Sequence, residues 1–424
     1  MSISRAVACA LVGAFAWAVS HSALAQTTGA LTLSNALQRA LSANARLMAA
    51  DREIGMAEGK RTQAGAIPNP QIDLELDNAL GSKDYRGLRS AETTLQLSQV
   101  IELGGKRGAR VAAASGEYDS VRWQRAAVRL ELLSETTIAF VNALGAQRRV
   151  QVLNAQIAVL DRLSPLLQRR VEAGASGPAD IARTQVTVDL TRIERIRANT
   201  SLASGRRELA TLLGLEVPNF TLVSGDLGRT ARPPVFQTVL QAIESNPQLM
   251  RWTAVRAQRD AELLTARLKP VPDVQASVGW RHFRETRDNA VRFGVSVPIP
   301  VWDRNKGGIR EAQEAIGKTE AERTTARLTL IGTAGRAYDT LTGALQEIDL
   351  LRRSVIPNAR KAFEAVEDGY TQGRFTLLEL LEAYKSLAEA ELREVEVLVT
   401  FHTAVATIEG LTGSPFALAG GKTP

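Results

Sequence analysis

The sequence predicts a mainly helical fold built from a duplicated unit, with a small β part that crosses a membrane. Three observations carry this reading. The chain repeats itself: Leu41, Asn44, Leu47, Met48, Pro68 and Pro70 recur as Ile243, Asn246, Leu249, Met250, Pro270 and Pro272, all 202 residues on. Lys106, Gly108 and Arg110 recur as Lys306, Gly308 and Arg310 at a spacing of 200, and Gly174 with Asp180 recurs as Gly373 with Glu379 at 199. So long a period means two copies of one supersecondary unit rather than a solenoid, and it places function where the copies meet. Four segments then alternate apolar with polar residues, and the remainder carries long helical periodicity.

Residues 1–25 come first. Arg5, an apolar run from Ala6 to Val19 and Ala23-Leu24-Ala25 form a secretory signal with a small-x-small cleavage site before Gln26. The mature chain is therefore exported. Cys9 and His21 leave with the signal, so disulfide and thiolate-metal chemistry are excluded. The two remaining histidines, His282 and His402, cannot build a His-rich metal site. His402 lies on an apolar stripe and reads as a packed residue, and His282 as an exposed one beside a loop. Gln26 stands where a lipoprotein would carry its acylated cysteine, which predicts no lipid anchor. Removing Arg5 lowers the net charge from +7 to +6, scattered and without basic clusters among aromatics. Nucleic acid is not an expected partner. Beyond the signal, no uncharged apolar run of 18 residues occurs, so no membrane-crossing helix is expected.

The first repeat is expected over 26–216, with a hairpin over about 70–103. In Gln71-Ile72-Asp73-Leu74-Glu75-Leu76-Asp77 the alternation is strict, and Leu95 and Leu97 oppose Thr94, Gln96 and Ser98. The second repeat, 235–413, has its hairpin over about 273–300. There Val274, Ala276, Val278 and Trp280 oppose Gln275, Ser277, Gly279 and Arg281, and Val291, Phe293, Val295 and Val297 oppose Arg292, Gly294 and Ser296. A soluble sheet with one wet face would look the same strand by strand. Runs of this length in an exported chain fit an outer-membrane barrel with lipid outside and water inside, where Asp73, Glu75, Asp77, Arg281 and Arg292 face the lumen. Four strands cannot close a barrel, for which about eight are the minimum, so several chains must contribute.

The helices follow. No proline interrupts Lys106 to Ser164, and Val150, Leu153, Ile157, Leu160, Leu163 and Leu167 fall at steps of three or four. A helix from Lys106 to about Glu172 would span roughly 100 Å, with a kink expected at Pro165. After Gly174 the chain returns from Pro178 through Ile181, Leu190, Ile193 and Leu202 to Gly214. The second repeat does the same, from about Gly308 to a turn at 369–373, then back along Leu377, Leu381, Tyr384, Ala388, Val395, Leu398, His402 and Val405. Residues 217–234, rich in Gly, Pro and Thr, read as a linker, and 414–424 as a flexible tail. At the strand-to-helix steps, Gly104-Gly105 and Gly307-Gly308 are expected to supply the change of direction without Cβ strain. Pro298 and Pro300 should end strand pairing.

These units behind a signal peptide resemble the TolC family of outer-membrane efflux proteins over nearly the whole mature chain. Glu102-Leu103-Gly104-Gly105-Lys106-Arg107, Pro300-Val301-Trp302-Asp303-Arg304-Asn305-Lys306-Gly307-Gly308 and Ile67-Pro68-Asn69-Pro70 are similar to its heavy-metal branch, which serves cobalt-zinc-cadmium type pumps. The resemblance implies a homotrimer whose twelve-stranded barrel in the outer-membrane lipid continues as a hollow helical barrel in the periplasm. It also implies a periplasmic adaptor, an inner-membrane pump of the RND type and no cofactor. In such relatives the turns between long helices form the periplasmic mouth and dock the adaptor, which assigns that role to the turns at Gly174 and Gly373. Tyr370-Thr371-Gln372-Gly373 with Glu379 and Glu382 matches the gate motif, and Asp180 matches the residue that such a tyrosine contacts in the closed state. Phe375 departs from the pattern, standing where some relatives carry an arginine of the latch. Glu379 also completes a capping box with Thr376, and Asp180 suits any helix start. A conduit for divalent metal ions, the same conduit for organic compounds or secreted proteins, and a periplasmic coiled-coil adaptor all remain open. No catalytic constellation points to an enzyme.

Overall fold

The computed structural model describes residues 29–414; the predicted signal and the tail beyond Ser414 lie outside them. The two halves follow the same succession. The first runs through α1 (Leu33–Ala43), α2 (Ala45–Ala64), β2 (Gln71–Asp77), β3 (Glu92–Ile101), α3 (Lys106–Glu172) and α4 (Pro178–Leu212). The second runs through α5 (Phe236–Ile243), α6 (Pro247–Leu268), β5 (Val274–Phe283), β6 (Asn289–Ser296), α7 (Lys306–Leu350), α8 (Ile356–Thr371) and α9 (Leu377–Thr412). Two short strands, β1 (Leu31–Thr32) and β4 (Val223–Ser224), pair in parallel and tie the start of the chain to the segment between the halves.

The repeated asparagines explain why each half opens with a broken helix. Asn44 and Asn246 cap α2 and α6, accepting from the amides of Arg46 at 2.9 Å and Gln248 at 2.7 Å. Their side-chain amides donate to Leu212 O at 2.9 Å and Leu411 O at 2.7 Å, the ends of the two return helices. Both asparagines are buried. One residue thus starts a helix and satisfies an orphan carbonyl at the end of another.

The long helix α3 has the bounds its periodicity predicts, and it continues through Pro165 unbroken. Its counterpart is interrupted by a π turn, Leu351–Val355, between α7 and α8. Pro357, two residues on, has no amide to give, and the extra residue of the π turn re-seats the chain before it. The stripe of α3 is buried at Leu153, Ile157, Leu160, Leu163 and Leu167. By length and composition α9 alone among the described helices could cross a membrane, but its apolar residues are committed to two cores. One core, near the middle of the helices, gathers Leu132, Phe140, Leu209, Ile243, Leu341, Phe401 and Ile408. The other, toward the turns, gathers Leu160, Leu163, Leu167, Phe363, Tyr370, Leu380 and Tyr384.

Segment 217–234 is built into the first core. Phe220, Val223 and Leu227 are buried there, and the Gln147 side chain both donates to Val223 O (3.0 Å) and accepts from its amide (3.2 Å). The paired β1–β4 backbone explains how a Gly- and Pro-rich stretch holds its place.

Candidate functional site: barrel wall, junction and turns

The four longer strands form one antiparallel sheet in the order β2-β3-β5-β6. Its register decides the faces. Ile72 lies opposite Leu97, Leu97 opposite Val278, and Val278 opposite Phe293; one step along, Leu74, Leu95, Trp280 and Val291 form a second row. These side chains all share one face, and most are largely exposed, Phe293 by 79%. Asp73, Glu75, Asp77, Arg281 and Arg292 share the other face. Arg281 there binds Glu92 at 3.0 Å and Thr94 Oγ1 at 2.9 Å, and approaches Asp77 at 3.7 Å. Ser98 donates to Asp73 at 3.3 Å. A sheet dry on one side and ion-paired on the other, with β2 and β6 as unpaired edges, fits a segment of a wall between lipid and water. His282 lies at the loop end of β5, stacked on Trp280 with its Nδ1 3.0 Å from Asn289 Oδ1.

At the strand-to-helix junction the two halves solve one problem differently. Gly104 and Gly105 take positive φ (69° and 80°), as their sequence predicts. In the second half Gly307 and Gly308 lie inside α7, and the left-handed residue is Asn305 at φ 54°. The reason is local hydrogen bonding. Asn305 donates its backbone amide to Asp303 Oδ1 (2.8 Å) and its side-chain amide to Ala266 O (2.8 Å), which holds an asparagine in a conformation it tolerates. Gly308 is needed for space: a Cβ there would lie 2.6 Å from Asn305 Oδ1. Across the junction, Arg110 forms a forked pair with Glu102, and Asp273 accepts from Lys106 (2.9 Å) and the Leu103 amide (3.1 Å). The Asp273 bonds lock the first half's helix to the second half's strand.

The two helical turns are near copies. Ala175 N donates to Arg170 O (2.8 Å) and Gly174 N to Val171 O (3.0 Å); Arg374 N donates to Gly369 O (2.8 Å) and Gly373 N to Tyr370 O (3.0 Å). Both are Schellman turns with glycine at φ 73° and 75°, where a Cβ would be strained. In the second turn Phe375 lies against Gly369, so close that a Cβ there would meet its ring at 2.3 Å.

Tyr370 does not reach Asp180. It is 2% exposed within the turn-end core and its hydroxyl has no hydrogen-bond partner among the described residues; the Asp180 carboxylate instead lies 3.7 Å from Arg183, one helical turn along. The expected contact is displaced by Arg170, whose guanidinium covers the Tyr370 ring at 4.7 Å and donates to Tyr370 O at 2.6 Å. A cation from the first half thus sits on the second half's turn. Sequence reasoning missed it, because nothing short of the fold aligns Arg170 with a tyrosine 200 residues away.

Glu379 and Glu382 are exposed on one face of α9. Glu379 completes the capping box: its carboxylate accepts from the Thr376 amide (2.7 Å) and hydroxyl (2.8 Å), and its own amide donates to Thr376 Oγ1 (3.3 Å). The Thr376 amide, then its hydroxyl, hold this carboxyl below the ordinary glutamate range, so it stays charged into mild acid. His402 is partly buried in the first core with Nε2 donating to Leu227 O at 3.0 Å, as a carbonyl can only accept. Burial pushes its pKa below the usual histidine value. Beside it opens a polar cleft of about 650 Å³, lined by Arg148 and Asp226 and by two ion pairs, Arg352 with Glu394 and Arg360 with Glu391.

The comparisons with known proteins agree with this architecture. The sequence profile described as "Outer membrane efflux protein" matches residues 36–215 and 238–414. The chain is 30% identical over 388 residues to the cobalt-zinc-cadmium resistance protein CzcC of Cupriavidus metallidurans, covering 92% of this chain and 91% of that one. It is 24% identical over 292 residues to the nickel-cobalt-cadmium resistance protein NccC of Alcaligenes xylosoxydans xylosoxydans, covering 69% and 66%. A membrane protein of Pseudomonas aeruginosa has the same fold, with a TM-score of 0.79 at 18% identity over 90% of this chain and 92% of that one. With both repeats matched and a relative at this identity along nearly its whole length, the chain belongs to the outer membrane efflux protein family and is an outer-membrane efflux channel whose helices lie in the periplasm.

Proposed function

We propose that the protein is the outer-membrane conduit of a tripartite system that exports divalent heavy-metal cations. The observation that carries this is its similarity to CzcC along nearly the whole length of both chains, with NccC, also named for metal resistance, as a second relative. Three copies supply twelve strands, and the turns at Gly174 and Gly373 dock a periplasmic adaptor that links the conduit to an inner-membrane RND pump. Ile181, Leu190 and Ile193 are exposed along α4, an apolar stripe that its own chain leaves open and a neighbouring copy can cover. Asp73, Glu75, Asp77, Arg281 and Arg292 line the lumen of the barrel. Glu379 and Glu382, repeated by threefold symmetry, ring the periplasmic mouth with carboxylates that draw cations in, and Tyr370 and Asp180 belong to the same gate region. The conduit is passive, and the pump sets the cargo.

Deleting the gene and measuring growth on cobalt, zinc, cadmium and organic dyes tests the reading. Sensitivity to the metals that the intact gene relieves is the expected result, with no change toward dyes. Sensitivity to dyes alone would assign the conduit to organic cargo.

A further inference from the structure

The apolar stripe of the sheet does not end where β6 ends. Along β6 it occupies odd positions, Val291, Phe293 and Val295, and beyond Ser296 it continues at Val297, Ile299 and Val301. Pro298 and Pro300 fall between them and remove the amides that a further strand would use. A tight turn, with Val301 N donating to Ile299 O at 2.9 Å, then presents Trp302. Ile299 is 80% exposed and Trp302 94%. Ile101 at the end of β3 and Leu103 just beyond it extend the same face and are exposed as well.

Around this wedge stand four cations: Arg107 in the first turn of α3, Lys269 at the end of α6, Arg304 before α7 and Lys306 at its start. Arg107, Lys269, Arg304 and Lys306 are exposed and make no ion pair among the described residues. The acids nearby are already engaged, Glu102 by Arg110, Asp273 by Lys106 and Asp303 by the Asn305 amide. A cleft of about 320 Å³ between Lys106, Lys269 and the prolines opens beside Ile299. The helices lie in the periplasm, so the end of the sheet that joins them is the periplasmic rim of the lipid-facing surface, where a tryptophan suits the boundary between chains and water and basic side chains suit anionic headgroups.

We propose that segment 298–304 is a lipid anchor, with Ile299, Val301 and Trp302 inserted in the periplasmic leaflet and Arg107, Lys269, Arg304 and Lys306 holding the phosphates of anionic phospholipids. Continuity with the lipid face and charge complementarity both favour lipid over a second copy of the chain as the occupant.

The test uses the assembled full-length mature protein in phosphatidylcholine vesicles with and without phosphatidylglycerol. Fluorescence is quenched with lipids brominated near the headgroup or at the chain end, and the difference between wild type and Trp302→Phe isolates Trp302. Stronger quenching by the shallow bromine is expected. Native mass spectrometry then counts retained phosphatidylglycerol, whose affinity should fall roughly fivefold for each cation removed in Lys269→Gln, in Arg304→Gln and in the fourfold glutamine variant. The single variants stand if the fourfold one does not assemble. Trp302 emission indifferent to bromine at both depths would seat it against a neighbouring copy and overturn the anchor, as would lipid retention unchanged by charge removal.

Discussion

Arg170 shows how one side chain can reassign a site. Its guanidinium covers the Tyr370 ring and holds the Tyr370 carbonyl, while the Tyr370 hydroxyl is left buried and unpartnered. A buried hydroxyl without a partner costs about 1–3 kcal/mol. Tyr370→Phe should therefore assemble as well as wild type and keep its resting conductance, whereas Arg170→Ala should raise it; single-channel recording in planar bilayers separates the two. If Tyr370→Phe opened the channel and Arg170→Ala did not, the contact with Asp180 would be the working one after all. His402 supplies a pH dependence. Its folded pKa lies below the ordinary value through burial, with Asp226 opposing and Arg352 adding to the depression. The unfolded chain therefore takes up the proton first as pH falls. Stability is full above about 6.5 and declines below it. A thermal melt of the helical signal in detergent should drop between pH 7 and pH 5, and His402→Gln should flatten that drop.

At the scale of elements, the strands carry the clearest separation of roles. Val278 and Ser277 are neighbours in β5 on opposite faces of the sheet. Val278→Arg should impair membrane assembly, by about 2–4 kcal/mol near mid-membrane, while Ser277→Arg should assemble well; heat-modifiable migration on gels reads both. Equal behaviour would mean the faces are reversed. The junctions show where element prediction from pattern reaches its limit. Two glycine pairs at matching positions suggest one shared turn. In the structure the left-handed residues are Gly104 and Gly105 before α3 and Asn305 before α7, because hydrogen bonds that Asn305 donates to Asp303 and Ala266 settle the backbone of the second. The π turn before Pro357 was illegible in the sequence, because one extra residue within a continuous helix carries no cap or breaker of its own.

On the scale of the whole molecule, four strands with two open edges require partners. The mature chain should leave the outer membrane in detergent as a trimer, with strong helical and strand signals in circular dichroism. Light scattering coupled to size exclusion measures this, and a monodisperse water-soluble monomer would end the barrel reading.

The sequence by itself determined the duplication, the helix bounds of α3, the two hairpins and the faces of all four strands, since periodicity is set by backbone geometry and is the same wherever an element packs. It also made the capping box at Glu379 legible, because that bond joins residues three apart. Only the tertiary structure decided that residues 217–234 pack into the core through β4, that Asn44 and Asn246 close the ends of α4 and α9, and that Arg170 rather than Asp180 meets Tyr370. Each of these joins residues between 76 and 200 positions apart. Their pairing depends on where whole helices come to rest, which the burial of two cores selects and local pattern does not record.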